Sequence, residues 1–337
     1  MEELQGVPEP DDLLAARERI VSWVHRTPVF TCDTINRIVG GTLFFKCENM
    51  QKGGAFKARG AMNHVLALPL ETVDRGVVTH SSGNHAQALA LAARARGIPA
   101  FIVMPDNAPQ VKVRAVNGYG ARITFCKPTE ESRRETAREV LESTGGHFVH
   151  PYTDAHIVAG QATAAMEALE QVNQPDMLIT PVGGGGLLSG SALAARYFGS
   201  HLEVWGAEPE LAGDAYRSLQ DGKLAPAMPP LTIADGLRTS LGDLTFGIIR
   251  DGVSGIGLCS EENIVRSMRL IWERMKLLVE PSGAVPLAAI LEGTIDVRGK
   301  HAVVILSGGN IDLDRVPELL ALDRSAVAPE PEAHRRR

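Results

Sequence analysis

Seven short apolar runs, separated by helix-forming stretches, constrain this chain of 337 residues more than any other feature. Residues 42–46, 76–81, 100–105, 121–126, 177–182, 203–207 and 301–306 each have the length and apolar content of a buried strand. Between them, residues 11–24, 86–96, 130–143, 160–169, 261–275 and 286–291 read as helices. A strand followed by a helix and another strand joins its neighbour in parallel, so this order predicts an α/β protein built on parallel sheets. The span from about Gly76 to Tyr152 holds a strand, helix and strand set of its own and reads as a small unit inserted in a larger one.

Composition removes several functional classes. A hydrophobic content of 44% suffices for one large core or two modest ones. The 34 basic and 40 acidic residues leave a net charge of −6, and no basic stripe with interleaved aromatics offers itself to nucleic acid. No apolar run approaches a membrane span, and the acidic N-terminal stretch with Glu2, Glu3, Asp11 and Asp12 lacks the pattern of a signal peptide, so the expected compartment is the cytoplasm. Cys32, Cys47, Cys126 and Cys259 are too scattered for a metal or redox pair and read as reduced thiols. Residues 326–337 read as a disordered tail.

Lys57 lies in Gly53-Gly54-Ala55-Phe56-Lys57-Ala58-Arg59-Gly60-Ala61, between an aromatic ring and small residues that permit close approach. Such surroundings suit an amine that must lose its proton to attack a carbonyl. They equally suit a turn into a helix carrying a solvent-seeking lysine. The run Val182-Gly183-Gly184-Gly185-Gly186-Leu187 follows a strand-like segment and precedes a helix-like one. Bare amides at a helix N-terminus bind phosphate, although a glycine run also serves as a plain turn. Thr79-His80-Ser81-Ser82-Gly83-Asn84-His85 has the same placement, and its short polar side chains either cap the helix or clamp a carboxylate. In Glu208-Pro209-Glu210-Leu211-Ala212-Gly213-Asp214, two carboxylates flank a loop with available carbonyls, which suits a hard cation or a solvated turn.

With Ser307-Gly308-Gly309-Asn310, Val149-His150-Pro151, Thr232-Ile233-Ala234-Asp235-Gly236 and the run from Trp272 through Glu280-Pro281, these motifs resemble the pyridoxal-phosphate enzymes of fold type II, in the serine/threonine dehydratase and serine racemase branch. The resemblance spans about residues 26–312 and keeps the family order. It implies a tryptophan synthase β-like fold, with two open parallel-sheet domains and the cofactor between them. The large domain would comprise residues 1–75 and 153–325, and the small substrate-closing domain residues 76–152. Where many relatives have serine and glycine, this chain has Ala55 and Ala86.

The roles that the resemblance implies are specific. Lys57 holds pyridoxal 5'-phosphate and, once displaced by substrate, serves as base on one face of the α-carbon. Phe56 packs by the ring, Asn84 bonds its hydroxyl oxygen, and Gly183, Gly184, Gly185 and Gly186 with Leu187 hold the phosphate. Ser81, Asn84 and His85 receive the substrate carboxylate, and Ser82 is the second acid/base opposite Lys57. Arg133 and Thr239 meet the substrate side chain or the closing domain, with Arg134 and Ser240 beside them. Glu208, the Ala212 carbonyl and Asp214 bind Mg²⁺, Ca²⁺ or Mn²⁺. Ser307 faces the pyridine nitrogen, and a neutral hydroxyl there does not hold that nitrogen protonated. The ring is then a weaker electron sink, which favours β-elimination over transamination.

The expected activity is therefore dehydration and deamination of a β-hydroxy amino acid, L-serine or L-threonine, to a 2-keto acid and ammonia, with serine racemisation alongside it. The alternative is a 3-hydroxyaspartate ammonia-lyase, for whose distal carboxylate Arg133, Arg134 and His150 are candidates. A cofactor-binding protein without catalysis is the remote reading. The resemblance also implies a homodimer.

Overall fold

The computed structural model describes residues 6–323 apart from 82, 109, 200, 227 and 230. Ser82 and the expected tail at residues 326–337 therefore lie outside the described residues. Among those described, the strands are β1 (Val29–Phe30), β2 (Thr42–Lys46), β3 (Val77–His80), β4 (Ala100–Pro105), β5 (Arg122–Cys126), β6 (His147–Phe148), β7 (Met177–Pro181), β8 (Glu203–Pro209), β9 (Gly255–Cys259) and β10 (His301–Ile305). They form a six-stranded sheet in the order β1-β2-β10-β7-β8-β9 and a four-stranded sheet in the order β5-β4-β3-β6. All seven expected strands are present. Every pairing is parallel except β1 with β2, a short antiparallel edge.

The larger sheet is buried on both faces, as expected for parallel strands flanked by helices. One core joins Leu43, Phe45, Ile179 and Val304 to the helix Pro281–Glu292. The other joins Leu178, Val303 and Ile305 to the helices Ala155–Gln171 and Gly186–Phe198. The four-stranded sheet packs Val77, Ile102 and Met104 against the helix Asn84–Arg96. Its core is completed by Ile20, Ala61, Met62, Val65 and Ile157, which lie outside residues 76–152.

Glycines govern two of the differences from the expected elements. Strand β9 reads poorly because Gly255 and Gly257 are weak strand formers. Packing requires them, since a Cβ at Gly255 would stand 2.7 Å from the Trp205 ring and one at Gly257 2.5 Å from Ile295. The helix Lys57–Ala67, read only as a turn into a helix, crosses the helix Ala155–Gln171 where a Cβ on Gly160 would stand 2.6 Å from the Gly60 Cα. The helix expected to begin at Pro286 begins at Pro281 and carries Pro286 inside it. The helix expected over 261–275 is α-helical over Glu261–Leu270 and continues as a π turn, Ile271–Met275, ending at Lys276 with φ 61°.

Beneath the Gly60 crossing lies a cluster of buried charge. Arg59 and Glu48 form a two-bond ion pair, each bond 2.8 Å, and Arg59 makes two further 2.8 Å bonds to Glu167. Lys46 donates to Glu167 at 2.7 Å, Gln171 at 2.8 Å and the Thr27 carbonyl at 2.9 Å. Lys46, Glu48 and Arg59 have no solvent exposure. The cluster ties the start of the Lys57–Ala67 helix to the Ala155–Gln171 helix.

Candidate active site

The loops after β3, β7 and β10 leave the carboxyl ends of their strands, the edge where open α/β sheets bind ligands. The Lys57 segment is anchored along the third of these loops. Phe56 N–H donates to the Ser307 carbonyl at 3.0 Å, and Gly309 N–H to the Gly54 carbonyl at 2.9 Å. Asn310 Nδ2 donates to the Gly53 carbonyl at 2.7 Å. The second bond of this amide, 2.9 Å to Asn84 Oδ1, reaches the loop after β3. Asn84 in turn donates from Nδ2 to Glu280 Oε1 at 2.5 Å. A Cβ on Gly308 would collide with that same Glu280 oxygen and stand 3.1 Å from Asn84 Nδ2, so Gly308, Asn84 and Glu280 are packed together.

Lys57 keeps some solvent exposure, but protein crowds its amine closely enough that loss of water lowers its pKa to about 8. Its Nζ donates to the Pro151 carbonyl at 2.8 Å and lies 5.2 Å from the centre of the Phe56 ring. At pH 7 about one such amine in ten is neutral, against about one in three thousand at an unperturbed pKa of 10.5. Burial, then the charges of Lys57 and His150, holds His85 well below the ordinary histidine range. His150 is likewise lowered to about 4, first by burial and then by His80 and Lys57, with Arg134 contributing. These imidazoles are neutral at physiological pH and present ring nitrogens rather than charge.

The glycine loop is closely packed at each of its four glycines. A Cβ on Gly183 would stand 2.9 Å from the Leu237 Cα and 3.1 Å from Thr239 Oγ1, and one on Gly185, at φ +88°, would stand 2.7 Å from Leu241. A Cβ on Gly184 would collide with the ring of Tyr152, and one on Gly186 would stand 3.2 Å from the Tyr152 Cβ. Leu187 places its side chain in the core, which leaves its amide for any ligand. Thr239 thus lies against the glycine loop.

Ser81 Oγ accepts from Gly83 N–H at 3.3 Å, which shapes the turn into the Asn84–Arg96 helix. Arg133 has a buried Nε without a hydrogen-bond partner among the described residues and bears on Cys126, whereas exposed Arg134 bears on His150. In the acidic loop, Glu208 accepts from Ala215 N–H at 3.0 Å and Tyr216 N–H at 2.8 Å, yet burial pushes it up to about 8. Burial also pushes Asp214 up to about 6, and its Oδ2 is buried without a hydrogen-bond partner among the described residues. Ala212 ends a 3-10 turn, Glu210–Ala212, in the same loop. No group of three or more His, Cys, Asp or Glu side chains placed to hold a metal occurs among the described residues.

Glu280, Pro151 and Tyr152 take part in the site although none was singled out for a role in the sequence. Burial pushes Glu280 up to about 7 against the opposing charge of Lys112, which pairs with Asp235. Glu280 stood in view within a family motif, but its acidity does not tell where it points. Pro151 contributes only a carbonyl, for which side-chain chemistry carries no signal.

Comparison with known proteins adds three findings. A family model described as pyridoxal-phosphate dependent enzyme matches residues 20–308. A serine racemase of Dictyostelium discoideum is 46% identical over 92% of this chain and 97% of its own length, and a β-hydroxyaspartate dehydratase of Paracoccus denitrificans is 48% identical over 92% and 99%. The solved structure of maize serine racemase superposes with a TM-score of 0.89 at 44% identity, over 94% of this chain and 97% of that one.

Proposed function

The chain belongs to the pyridoxal-phosphate-dependent enzymes of the tryptophan synthase β-like fold, in the branch of serine racemases and dehydratases, and on that premise we propose that it dehydrates and deaminates L-serine or L-threonine, with some racemisation of serine. The observation that carries this reading is Lys57, an amine of lowered pKa held by one carbonyl next to the three converging loops. The residues present fit the cofactor. A reactive amine stands at one end, four glycine amides open the Gly186–Phe198 helix at the other, and Asn84 is fixed from both sides by Glu280 and Asn310. When bound, pyridoxal phosphate supplies an aldehyde carbon and a conjugated ring that takes up the electron pair of a breaking α-C–H bond.

In this reading Lys57 would hold the cofactor through its neutral amine, and the same Nζ would take up the substrate's α-proton. Ser307 would meet the cofactor ring with a hydroxyl that carries no formal charge, which would favour loss of the β-hydroxyl. Ser81, Asn84 and the neutral His85 receive the carboxylate at the N-terminus of the Asn84–Arg96 helix. Ser82, outside the described residues, is the second acid/base we assign to racemisation. Phe56 packs beside Lys57, and Thr239 buttresses Gly183. Glu208, Asp214 and the Ala212 carbonyl fit a divalent cation such as Mg²⁺, because Asp214 Oδ2 lacks a hydrogen-bond partner among the described residues and both buried carboxyls await a positive charge. We also assign the chain to a homodimer acting in the cytoplasm, with residues 76–152 closing over the substrate.

A second reading, 3-hydroxyaspartate as substrate, is favoured by Arg134 rather than Arg133 bearing on His150 and by the Paracoccus relative. Proton NMR of L-serine in heavy water with pyridoxal phosphate and Mg²⁺ tests the first. Pyruvate formation that Lys57→Ala abolishes is expected. Loss of the α-proton signal without pyruvate would leave a racemase alone, and inertness toward both serine and threonine would favour 3-hydroxyaspartate.

A further inference from the structure

Tyr152 occupies a place that neither capping nor the substrate carboxylate accounts for. Its ring lies so close over Gly184 that any side chain at 184 would overlap Cγ, Cδ1 and Cδ2, and its Cβ borders Gly186. Leu237 and Thr239 close on the loop at Gly183, and Leu241 at Gly185. The ring is fixed edge-to-face on His150, with centroids 4.7 Å apart and planes at 87°. His150 in turn is held by the backbone, its Nδ1 accepting from Thr153 N–H at 2.9 Å. The neighbouring residue, Pro151, is the one whose carbonyl holds Lys57 Nζ. Residues 151 and 152 therefore meet the two anchors that a cofactor with an aldehyde and a phosphate requires.

We propose that the ring of Tyr152 is the cover of the phosphate loop, a positioning residue that sets how tightly the cofactor phosphate is held, and that Gly184 is glycine to make room for it. Amides that bind an anion away from water hold it more strongly than the same amides in water, because the local dielectric is lower and no water competes for the donors. An aromatic ring laid flat on the loop excludes water without adding a competing acceptor there. The proposal rests on the reading that the chain binds pyridoxal phosphate at Lys57.

The test compares two probes on the same protein, pyridoxal phosphate and pyridoxal, which share the aldehyde and differ in the phosphate. Binding is read from the visible absorbance of the lysine adduct and from borohydride trapping on the Lys57 peptide. Tyr152→Ala is expected to weaken pyridoxal phosphate about tenfold or more while leaving pyridoxal within about twofold of the parent, since only the phosphate end loses its cover. Tyr152→Phe keeps the ring and is expected to match the parent. Gly184→Ala displaces the ring and is expected to reproduce the phosphate-selective loss, and the double variant should lose no more than either alone. Equal weakening of both probes in Tyr152→Ala, unchanged affinity for pyridoxal phosphate, or a loss in Tyr152→Phe as large as in Tyr152→Ala would each overturn the proposal. A parent protein that traps neither probe at Lys57 would instead refute the functional reading.

Discussion

Replacing Arg59 by methionine removes the centre of the buried ion cluster while keeping most of its volume, and the structure sets the size of the effect. Four 2.8 Å charge-assisted bonds disappear, two to Glu48 and two to Glu167. Glu48 is left fully buried, with the Thr27 hydroxyl at 2.5 Å and the charge of Lys46 as its remaining support. Breaking a buried pair from one side costs about 3–5 kcal/mol, because the surviving charge is uncompensated. That is a large part of an ordinary total stability of about 5–15 kcal/mol. The assay is urea unfolding followed by far-UV circular dichroism at pH 8, on the parent, Arg59→Met, and Arg59→Met with Glu48→Met. The double variant should recover at least half of the loss, since it removes the stranded charge as well. A pH series gives an independent sign. In the parent, burial pushes Glu48 up, but Arg59, with Lys46 and the Thr27 hydroxyl, outweighs it and leaves the carboxyl below its ordinary value. Its contribution is thus present above the unfolded pKa of about 4.3 and lost as pH falls through the lower folded value. Without Arg59, burial dominates, the folded state binds the extra proton, and the deficit of Arg59→Met should narrow from pH 8 to pH 5. A loss below about 1 kcal/mol, or a double variant less stable than the single, would refute this account of the cluster.

Two further outcomes follow from the site. Because burial lowers Lys57 to about 8, its capture of pyridoxal should rise with pH, reach half its plateau near pH 8 and level off above; a midpoint near the ordinary 10.5 would contradict the burial argument. Added Mg²⁺ should raise the thermal midpoint of the chelator-treated protein in a concentration-dependent way, and Asp214→Asn should abolish the increment; the same increment in that variant would remove the acidic loop as the cation site.

Much of the fold was legible because parallel strands buried on both faces are written as continuous apolar runs, as in Met177-Leu178-Ile179-Thr180-Pro181. What escaped was set by tertiary packing. Gly255 and Gly257 weaken the local signal of β9, yet Trp205 and Ile295 leave no room for side chains there. Pro286 resembles a helix start and instead sits inside a helix, buried in a core whose packing outweighs the bond it removes. In the site, Lys57, Asn84 and the glycine loop announce themselves by chemistry at a strand end. Pro151 acts through a backbone atom, and the flat seating of Tyr152 on Gly184 is a relation between residues 32 positions apart that no local pattern contains.

The position of β10 governs the order in which this protein can be built. It lies between β2 and β7, and it is the last strand among the described residues. A nascent chain that has completed β2 must extend through residues 47–300 before that strand's parallel neighbour exists, which takes about 10–50 s at usual elongation rates. The four-stranded sheet, drawn from residues 77–148, has all its strands much earlier. The loop that anchors the Lys57 segment comes later still, just after β10. Emergence from the ribosome thus leaves the exposed edge of β2 in need of protection until residues 301–305 have been made, and chains cut short before residue 301 have neither a continuous six-stranded sheet nor a seat for the lysine.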